Sequence, residues 1–369
     1  MEKNSKDRPL LVKEWSKSIG VRKAKKSTTK FEIQVGNISL PKEYRGKTKY
    51  TTDKKNGTIQ IFVKSSEVGI HFFPPDIKSV SLSPSLLKRA EAVAHTDGIF
   101  PSHLALSQFP KLLDKKLAVR QRFGLDTEKI ERLKRVVPTT IFSPDERYLF
   151  TDTSFPWCTC GKVENAGGSG SGVMIGPRHL MTASHMINWG PNNTAGWLKF
   201  TPLKFDNSEP FGSAFATLIY SWNKADGSDG LNLTEGAFDY VVCVLDQRLG
   251  DVTGWMGSRS YDSGWDNGDY WGHIGYPSDL GSASRPAFIG YQSFFGEDTG
   301  SAAGRNSYSI KHKIDVFPGQ SGGPYFGWWD SEPWPRVVGI QSGQTPGYNT
   351  CGGGNPLSEI INYARTQMP

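Results

Sequence analysis

Short runs of apolar residues, separated by polar or glycine-rich turns, recur along the chain from residue 136 to residue 369. Examples are residues 171–175, 180–183, 238–245 and 337–343. Runs of this length, bounded by turn residues and rich in β-branched and aromatic side chains, predict strands. Many short strands joined by such turns are typical of barrels and sandwiches. We therefore predict an all-β fold for residues 136–369.

The N-terminal part of the chain shows a different pattern. Apolar and polar residues alternate over about residues 28–75, and this period of two predicts strands. Residues 84–94 and 126–135 predict helices, and Pro84 follows a serine that can cap the first of them. We therefore predict a smaller mixed α+β region over residues 1–135, in front of the all-β region.

Charge divides the chain in the same way. Residues 1–140 carry 29 Lys and Arg against 14 Asp and Glu, a net charge of +15. The remainder carries 14 against 22, a net charge of −8. Opposite charges favour association, so we expect the basic region 1–135 to dock on the acidic region 136–369. As a pro-region, it would either cover a functional cleft or assist folding.

A nucleic-acid-binding module is the alternative interpretation of the basic region. Runs such as residues 22–26 would attract phosphate groups electrostatically. No recognised nucleic-acid motif accompanies these runs, and such runs are usually solvated surface. We therefore expect no nucleic acid among the partners of this protein.

The run 319–324 reads Gly-Gln-Ser-Gly-Gly-Pro and places a serine between glycines. Glycines allow the backbone to turn sharply, so the N–H groups of Gly319 and Ser321 can point at one spot and bind an oxyanion. The run also matches the nucleophile elbow of α/β-hydrolases, in which the catalytic histidine follows the serine. No histidine follows Ser321 in this chain, and this order excludes the elbow.

A base for Ser321 must therefore lie upstream, and one of the seven histidines has a suitable frame. Residues 171–175 predict a strand, residues 176–178 predict a turn, and the next apolar strand leads to His185. The histidines without such a frame are His71, His95, His103, His179, His273 and His312.

An acid stands at the start of a later apolar run, where Asp239 precedes Tyr-Val-Val-Cys-Val-Leu. Burying a lone carboxylate is costly, and an imidazole partner would compensate for that cost. His185, Asp239 and Ser321 therefore form a candidate catalytic triad in the order His, Asp, Ser. Taken singly, each residue also has a structural interpretation, as a packed or exposed histidine, a turn aspartate and a glycine-serine loop.

These segments resemble those of chymotrypsin-like serine proteases. The resemblance lies in the loop 319–324, in Thr-Ala-Ser-His at residues 182–185 and in Asp-Tyr-Val-Val at residues 239–242. It implies a chymotrypsin-like double six-stranded β-barrel over residues 136–369. It also implies an endopeptidase that hydrolyses bonds in protein or peptide substrates through an acyl-enzyme intermediate.

The resemblance also implies a role for each residue of the candidate triad. Ser321 is the expected nucleophile, His185 the general base, and Asp239 the residue that orients the imidazole and stabilises its charged form. The N–H groups of Gly319 and Ser321 are the expected oxyanion donors.

Within this family, the chain resembles the V8-like branch, which includes glutamyl endopeptidases. Gln320 stands where digestive-type enzymes carry an aspartate that receives a newly freed amino terminus, and a glutamine cannot form that salt bridge. Residues 141–157 resemble the start of mature V8-like enzymes, which carry a D-x-R…T-[DN]-T…P-[WY] pattern. Residues 275–279 match that branch as well. The resemblance covers about residues 136–369.

Four residues are candidates for substrate binding: Asp315, Gln341, Ser342 and Gly343. Asp315 stands where trypsin-like enzymes have the acid that binds Arg or Lys, and a loop-stabilising acid is the alternative. Gln341 stands where glutamate-specific members have a histidine. The run 337–343 resembles the strand that lines the cleft, and Ser342 falls where many members bond the triad aspartate. A solvated strand position is the alternative for Ser342.

The pair Lys134 and Arg135 precedes Val-Val-Pro and resembles a dibasic processing site. The alternative is a helix C-terminus at which the cations oppose the helix dipole. Our hypothesis is that cleavage after Arg135 releases an active enzyme from a zymogen. The alternative function is a catalytically inactive binding or scaffold protein on a protease-like fold.

The four cysteines do not decide whether the protein works in an oxidising or a reducing compartment. Cys158 and Cys160 are too close in sequence to pair with each other, and we predict a disulfide between Cys351 and one of these two. Cys243 is expected to be a buried free thiol. The run Cys158-Thr159-Cys160 together with His179 lacks the ligand spacing of a zinc site, and we expect no metal and no cofactor.

No stretch approaches the roughly 20 apolar residues that a membrane span needs, so we expect no membrane partner. The first 30 residues are too charged for a signal peptide, which has either been removed or was never present. The resemblance nevertheless implies secretion to the extracellular space. We expect a monomer.

Overall fold

The structure is a computed structural model. It describes residues 8–15, 48–53, 58–63, 77–87, 93–111 except 108, and 141–369 except 143, 226, 228, 229 and 346. The strands of these residues are β1 (Thr48–Asp53), β2 (Thr58–Val63), β3 (Ile77–Ser81), β4 (His95–Thr96), β5 (Tyr148–Leu149), β6 (Cys160–Asn165), β7 (Gly168–Gly176), β8 (His179–Thr182), β9 (Trp189–Gly190), β10 (Thr194–Ala195), β11 (Leu198–Pro202), β12 (Ala214–Ser221), β13 (Val241–Leu245), β14 (Gly257–Arg259), β15 (Trp271–Gly275), β16 (Ala287–Gln292), β17 (Phe294–Ala302), β18 (Arg305–His312), β19 (Pro324–Gly327), β20 (Arg336–Thr345) and β21 (Tyr348–Gly353). The α-helices are α1 (Pro84–Leu87), α2 (Leu233–Ala237), α3 (Gly250–Thr253) and α4 (Asn355–Gln367).

Six strands of the first sheet close into a barrel. They follow the order β11, β6, β7, β8, β13, β12, and β12 pairs back with β11. Strand β8 pairs with β13 so that Thr182 lies opposite Val241. Because His185 follows Thr182 by three residues and Asp239 precedes Val241 by two, this register brings the two side chains to the same end of the barrel.

The second sheet follows the order β17, β18, β21, β20, β19, β15, β16, β5, with β14 paired to β20 and β4 paired to β14. An aromatic cluster fills its interior, and Trp271 stacks on Phe294 with ring centroids 5.0 Å apart. The predicted chymotrypsin-like double-barrel class is therefore confirmed. The run 319–324 lies between β18 and β19, where the second sheet meets the first barrel.

Several described segments of the N-terminal part pack directly on the two sheets, whereas β1 and β2 pair with each other. Strand β3 pairs in parallel with β12, with Leu218 opposite Lys78 and Ser221 opposite Ser81. Strand β4 pairs with β14 of the second sheet. Trp15 is fully buried and stacks on Phe326 of β19 at 6.0 Å.

The last helix, α4, covers the first barrel. Pro356 stands in its first turn, where proline is well tolerated, and the apolar side chains of Leu357, Ile360, Ile361 and Ala364 recur at helical spacing and are fully buried. The Trp222 indole donates to the carbonyl of Pro356 at 2.9 Å, which fixes the start of the helix on the barrel.

Several predicted elements can be compared directly with the structure. The runs 171–175, 180–183 and 337–343 fall largely on strands β7, β8 and β20, as predicted. The run 238–245 is a strand only from Val241, because Phe238 is the C-cap residue of helix α2. The first N-terminal helix begins at Pro84, as predicted, and is described as far as Leu87. Residues 126–135, with the proposed cleavage site, lie outside the described residues.

The disulfide predicted between Cys351 and Cys158 or Cys160 is not formed. All four cysteines are free and buried. The Cys158 thiol donates to the carbonyl of Thr253 beside the first barrel, whereas Cys351 lies within β21 of the second sheet. Burial raises the pKa of the Cys160 thiol to about 12, so these thiols are held in the neutral form. No helix within the described segments is long and apolar enough to cross a membrane.

Candidate active site

The loop that carries Ser321 depends on glycine at two positions. Gly319 has φ +100° and Gly322 has φ +82°, which L-residues rarely adopt. A Cβ at Gly319 would lie 2.2 Å from the carbonyl oxygen of Tyr276, and one at Gly322 would lie 2.2 Å from Oγ1 of Thr182. The glycines therefore allow both the backbone turn and its close approach to the first barrel.

Ser171, buried on β7, holds this loop from the side of the first barrel. Its N–H donates to the carbonyl of Ser321 at 2.8 Å, and its Oγ donates to the carbonyl of Gly319 at 2.7 Å. The same Oγ accepts from the N–H of Tyr276 at 2.9 Å, and Thr182 Oγ1 donates to the Ser171 carbonyl at 2.7 Å. Ser171 therefore binds the loop through its N–H and its hydroxyl, and its bonds with Thr182 and Tyr276 hold it in place.

These bonds leave two backbone donors of the loop unused. Within the described part of the chain, the N–H groups of Gly319 and Ser321 have no hydrogen-bond acceptor, while the carbonyls of both residues are bound by Ser171. Both residues line a cavity of 690 Å³. Two unpaired N–H groups beside a serine hydroxyl form the arrangement that an oxyanion hole requires.

His185 and Asp239 are in direct contact. His185 stands in a 3-10 turn, Ser184–Met186, directly after β8. Its Nδ1 lies 2.6 Å from Oδ2 of Asp239, and its backbone N–H donates to Oδ1 at 2.9 Å. Ser342 Oγ donates to Oδ2 at 2.6 Å. The fully buried carboxylate therefore accepts three hydrogen bonds, which compensate for its loss of hydration.

Since the carboxylate faces Nδ1, the other ring nitrogen of His185, Nε2, is left for the substrate side. His185 and Ser321 both line the same cavity. The structure thus brings the three residues of the candidate triad to one edge of this cavity, with Ser342 as a fourth member of the hydrogen-bonded chain. That chain matches the interpretation of Ser342 as a partner of the aspartate.

The pKa of His185 is raised, whereas the pKa values of the buried residues His179 and His273 are lowered. Burial by itself lowers the pKa of His185, but the charge of Asp239 and the hydrogen bond to it outweigh burial and raise the pKa above its ordinary value of 6.5. Burial lowers the pKa of His273 to about 3 and that of His179 to about 4. His273 and His179 therefore remain neutral packing residues, whereas Asp239 favours the protonated form of His185.

We expect hydrolysis to fall as the pH is lowered through the raised pKa of His185. A general base must be neutral, so kcat/KM should rise with pH and reach half its maximum above the ordinary value of 6.5. The measurement is kcat/KM on a neutral peptide substrate from about pH 5 to about pH 9. A profile that stays flat across this range would exclude His185 as the base.

The cavity beside Ser321 extends along the second sheet. Its lining includes Val316, Phe317, Gln341, Gly343, Tyr348 and Thr350, and helix α2 contributes Leu233 and Gly236. Gln341 is buried, accepts from the Tyr325 hydroxyl through Oε1 and donates to the carbonyl of Gly343 at 3.4 Å. Gln341, Ser342 and Gly343 therefore lie at the cavity, where substrate-binding residues were expected.

Asp315 is not among the described residues that line this cavity. Its buried carboxylate accepts from the backbone N–H of Phe142 at 2.6 Å and from that of Glu146 at 3.1 Å. Both oxygens face the segment before β5 and not the cavity lining. The alternative interpretation, a loop-stabilising acid, fits this geometry.

Two residues of the site were missed in the sequence. Ser171 was assigned only to a strand, because the glycine-serine pattern around it says nothing about which carbonyls its hydroxyl contacts. Arg147 was noticed only as part of the D-x-R pattern. In the structure it is buried and donates to Oε1 of Gln320, next to Ser321, at 2.8 Å. Within the described segments, no three His, Cys, Asp or Glu side chains come together to hold a metal ion.

The fold is that of chymotrypsin-like serine proteases. A glutamyl endopeptidase of Bacillus licheniformis is 25% identical over 194 residues, which make up 52% of this chain and 55% of that protein. The chain therefore spans about half the length of this relative. Over that length it is similar to a protease of the V8-like kind that the motifs resemble. No family model matches the chain.

A solved structure supports the same fold. The structure of a Glu endopeptidase in complex with MPD aligns with a TM-score of 0.50 and 20% sequence identity. The alignment covers 62% of this chain and all of the other chain. At this identity, the comparison bears on the fold and not on the specificity.

Proposed function

We propose that this chain is a serine endopeptidase. Ser321 Oγ attacks a peptide carbonyl carbon while His185 Nε2 takes the hydroxyl proton, and Asp239 stabilises the resulting imidazolium. The C–N bond then breaks as His185 gives the proton to the leaving amine. Water, deprotonated by His185, attacks the acyl-enzyme, and Ser321 recovers its proton as the carboxylic acid leaves.

The observation that supports this mechanism most is a convergence at one cavity. A hydrogen-bonded chain from Ser342 through Asp239 to His185 ends at the cavity that also contains Ser321. Two unpaired N–H groups face the developing oxyanion, and one such donor is typically worth about 3–4 kcal/mol. A purely structural role requires neither a buried carboxylate bound to a histidine nor two unused backbone donors.

The charges at the cavity indicate which residue is accepted before the scissile bond. Among the described lining residues, the acidic side chain is Asp298, which is paired with Lys311 at 2.8 Å, and His185 is bound to Asp239. Among these described residues, a glutamate side chain would therefore meet no unpaired cation, and an arginine or lysine no unpaired acid, since Asp315 faces elsewhere. We propose that the preferred P1 residue is uncharged.

The test is covalent labelling followed by a panel of peptides that differ only at P1. A fluorophosphonate probe should label Ser321, as identified by mass spectrometry of the labelled peptide. We expect kcat/KM for Leu, Met or Phe at P1 to exceed that for Glu, Arg or Lys by roughly 100-fold, because a buried unpaired charge is strongly rejected. Cleavage only after glutamate would contradict the P1 proposal, and absence of labelling would favour the inactive scaffold.

Secretion, the monomeric state and the division between residues 1–135 and 136–369 stay predictions. So does cleavage after Arg135. Their tests are independent of the catalytic proposal, because they concern the location, the oligomeric state and the processing of the chain and not its chemistry.

A further inference from the structure

Gln320 directly precedes the candidate nucleophile and is almost completely buried, with 1% of its surface exposed. Its Oε1 accepts two hydrogen bonds, one from Nη1 of Arg147 at 2.8 Å and one from the N–H of Phe317 at 2.9 Å. The glutamine side chain therefore joins the start of the loop to a side chain from outside it. Because Gln320 and Ser321 are adjacent, the position of one restricts the other.

Arg147 uses all five of its N–H donors in this contact region. Nε and Nη2 donate to the two oxygens of Asp145 at 3.1 Å, and Nη1 and Nη2 donate to those of Asp279 at 3.1 and 2.6 Å. The fifth donor is the one that binds Gln320. A buried guanidinium with two carboxylates and no unused donor is a rigid arrangement, because any displacement leaves charged groups unpaired.

The segment that carries Arg147 is fixed to the same loop at a second place. The N–H groups of Phe142 and Glu146 donate to the carboxylate of Asp315, which lies six residues before Ser321. The segment that carries Arg147 is thus bound to Asp315, which precedes the loop, and to Gln320, which precedes the nucleophile. It is held through backbone amides and a side chain, and no free amino group takes part in these bonds.

The described segments 8–15, 77–87 and 93–111 are also part of the packed structure, and they leave the cavity open. Strand β3 extends the sheet of the first barrel beside β12, and the N–H groups of Leu10 and Val12 donate to the carbonyls of Trp328 and Asp269 at 2.7 and 2.8 Å. The lining of the cavity runs from Ser169 to Thr350 and includes no described residue of the N-terminal part. These segments therefore contribute to the fold of the catalytic region without covering the site.

We propose that Arg147 is a positioning residue, which holds the nucleophile loop through Gln320 in place of a newly freed amino terminus. The chain is then catalytically competent without cleavage after Arg135. This inference rests on the proposed function, and it assigns to an internal salt-bridged arginine the task that processing performs in digestive-type enzymes. It differs from the zymogen hypothesis, which requires removal of residues 1–135.

The first experiment changes Gln320 in the full-length chain. Gln320→Leu removes both hydrogen bonds at similar volume, whereas Gln320→Glu keeps an acceptor for Arg147 and for Phe317. We expect Gln320→Leu to lower kcat about 100-fold with little change in KM, because a small displacement of a reacting group has that effect. Gln320→Glu should recover most of this loss.

A matched control separates positioning from stability. Arg285 forms a two-bond pair with Asp206 that is remote from the cavity lining. Arg285→Met should lower thermal stability without altering kcat or the rate of fluorophosphonate labelling. A Gln320→Leu variant that keeps wild-type kcat, or a Gln320→Glu variant as slow as Gln320→Leu, would overturn the role of Arg147.

The second experiment asks whether cleavage is needed. The double variant Lys134→Ala/Arg135→Ala, verified as intact by mass spectrometry, should react with the probe within about twofold of the rate of the cleaved chain, since both carry the same preorganised donors. Reaction only after cleavage would overturn this inference and leave the proposed function standing. A chain that is unreactive both before and after cleavage would overturn both.

Discussion

Replacement of Ser321 by alanine is expected to abolish peptide hydrolysis and leave the fold intact. The hydroxyl is the atom that forms the acyl-enzyme, and removal of a triad serine typically lowers kcat by a factor of about 10⁶. The Ser321 carbonyl accepts from the N–H of Ser171, and this bond does not depend on the side chain. Loop geometry and thermal stability should therefore be close to those of the parent chain.

The measurement is kcat on a peptide with an uncharged P1 residue, together with labelling by the fluorophosphonate probe. Ser301→Ala is the matched control, because Ser301 is an exposed serine of β17 that contacts Asn306 and lies outside the cavity. We expect this control to keep full activity and labelling. Hydrolysis by Ser321→Ala at the parental rate would refute the assignment of the nucleophile.

Replacement of Asp239 by asparagine should have the next largest effect. The carboxylate accepts from the backbone N–H of His185, from Nδ1 of the same residue and from the hydroxyl of Ser342. An asparagine offers one acceptor oxygen and an NH₂ group that donates, so it favours the wrong tautomer of the imidazole. The analogous change in a serine protease triad lowers kcat by about 10⁴.

This second effect is measured as kcat and KM at a pH where the parent is fully active, with circular dichroism to verify the fold. We expect KM to change little, since Asp239 is not expected to touch substrate. The control is Asp251→Asn, at an exposed aspartate of α3. It makes the same chemical change, and we expect kcat and KM to stay at the parental values. Wild-type kcat in Asp239→Asn would remove Asp239 from the mechanism.

Much of the fold could be predicted from local patterns. Strands β7, β8 and β20 follow apolar runs bounded by turn residues, and such runs are a local property of the sequence. The order of His185, Asp239 and Ser321 could be recognised because each residue stands at a boundary between an apolar run and a turn. Such boundaries are local features, and glycines mark them.

Other features depend on contacts between residues that are far apart in the chain. Asp315 stands at the position of a specificity acid, but its side chain faces the N–H groups of Phe142 and Glu146, about 170 residues earlier. Sequence position does not determine the direction of a side chain when backbone N–H groups of a distant segment donate to its carboxylate. The disulfide prediction failed for a related reason, because Cys158 packs beside the first barrel and Cys351 within the second sheet.

By itself, the sequence determined the class of fold, the candidate triad and the absence of a downstream histidine that would fit another hydrolase. These conclusions rest on residue type, order and short-range periodicity. Only the tertiary structure decided that Ser171 binds the carbonyls of Gly319 and Ser321. It also decided that Arg147 binds Gln320. Hydrogen bonds between distant segments require atoms to meet within about 3 Å, and that is set by how the two sheets and the segment before β5 pack together.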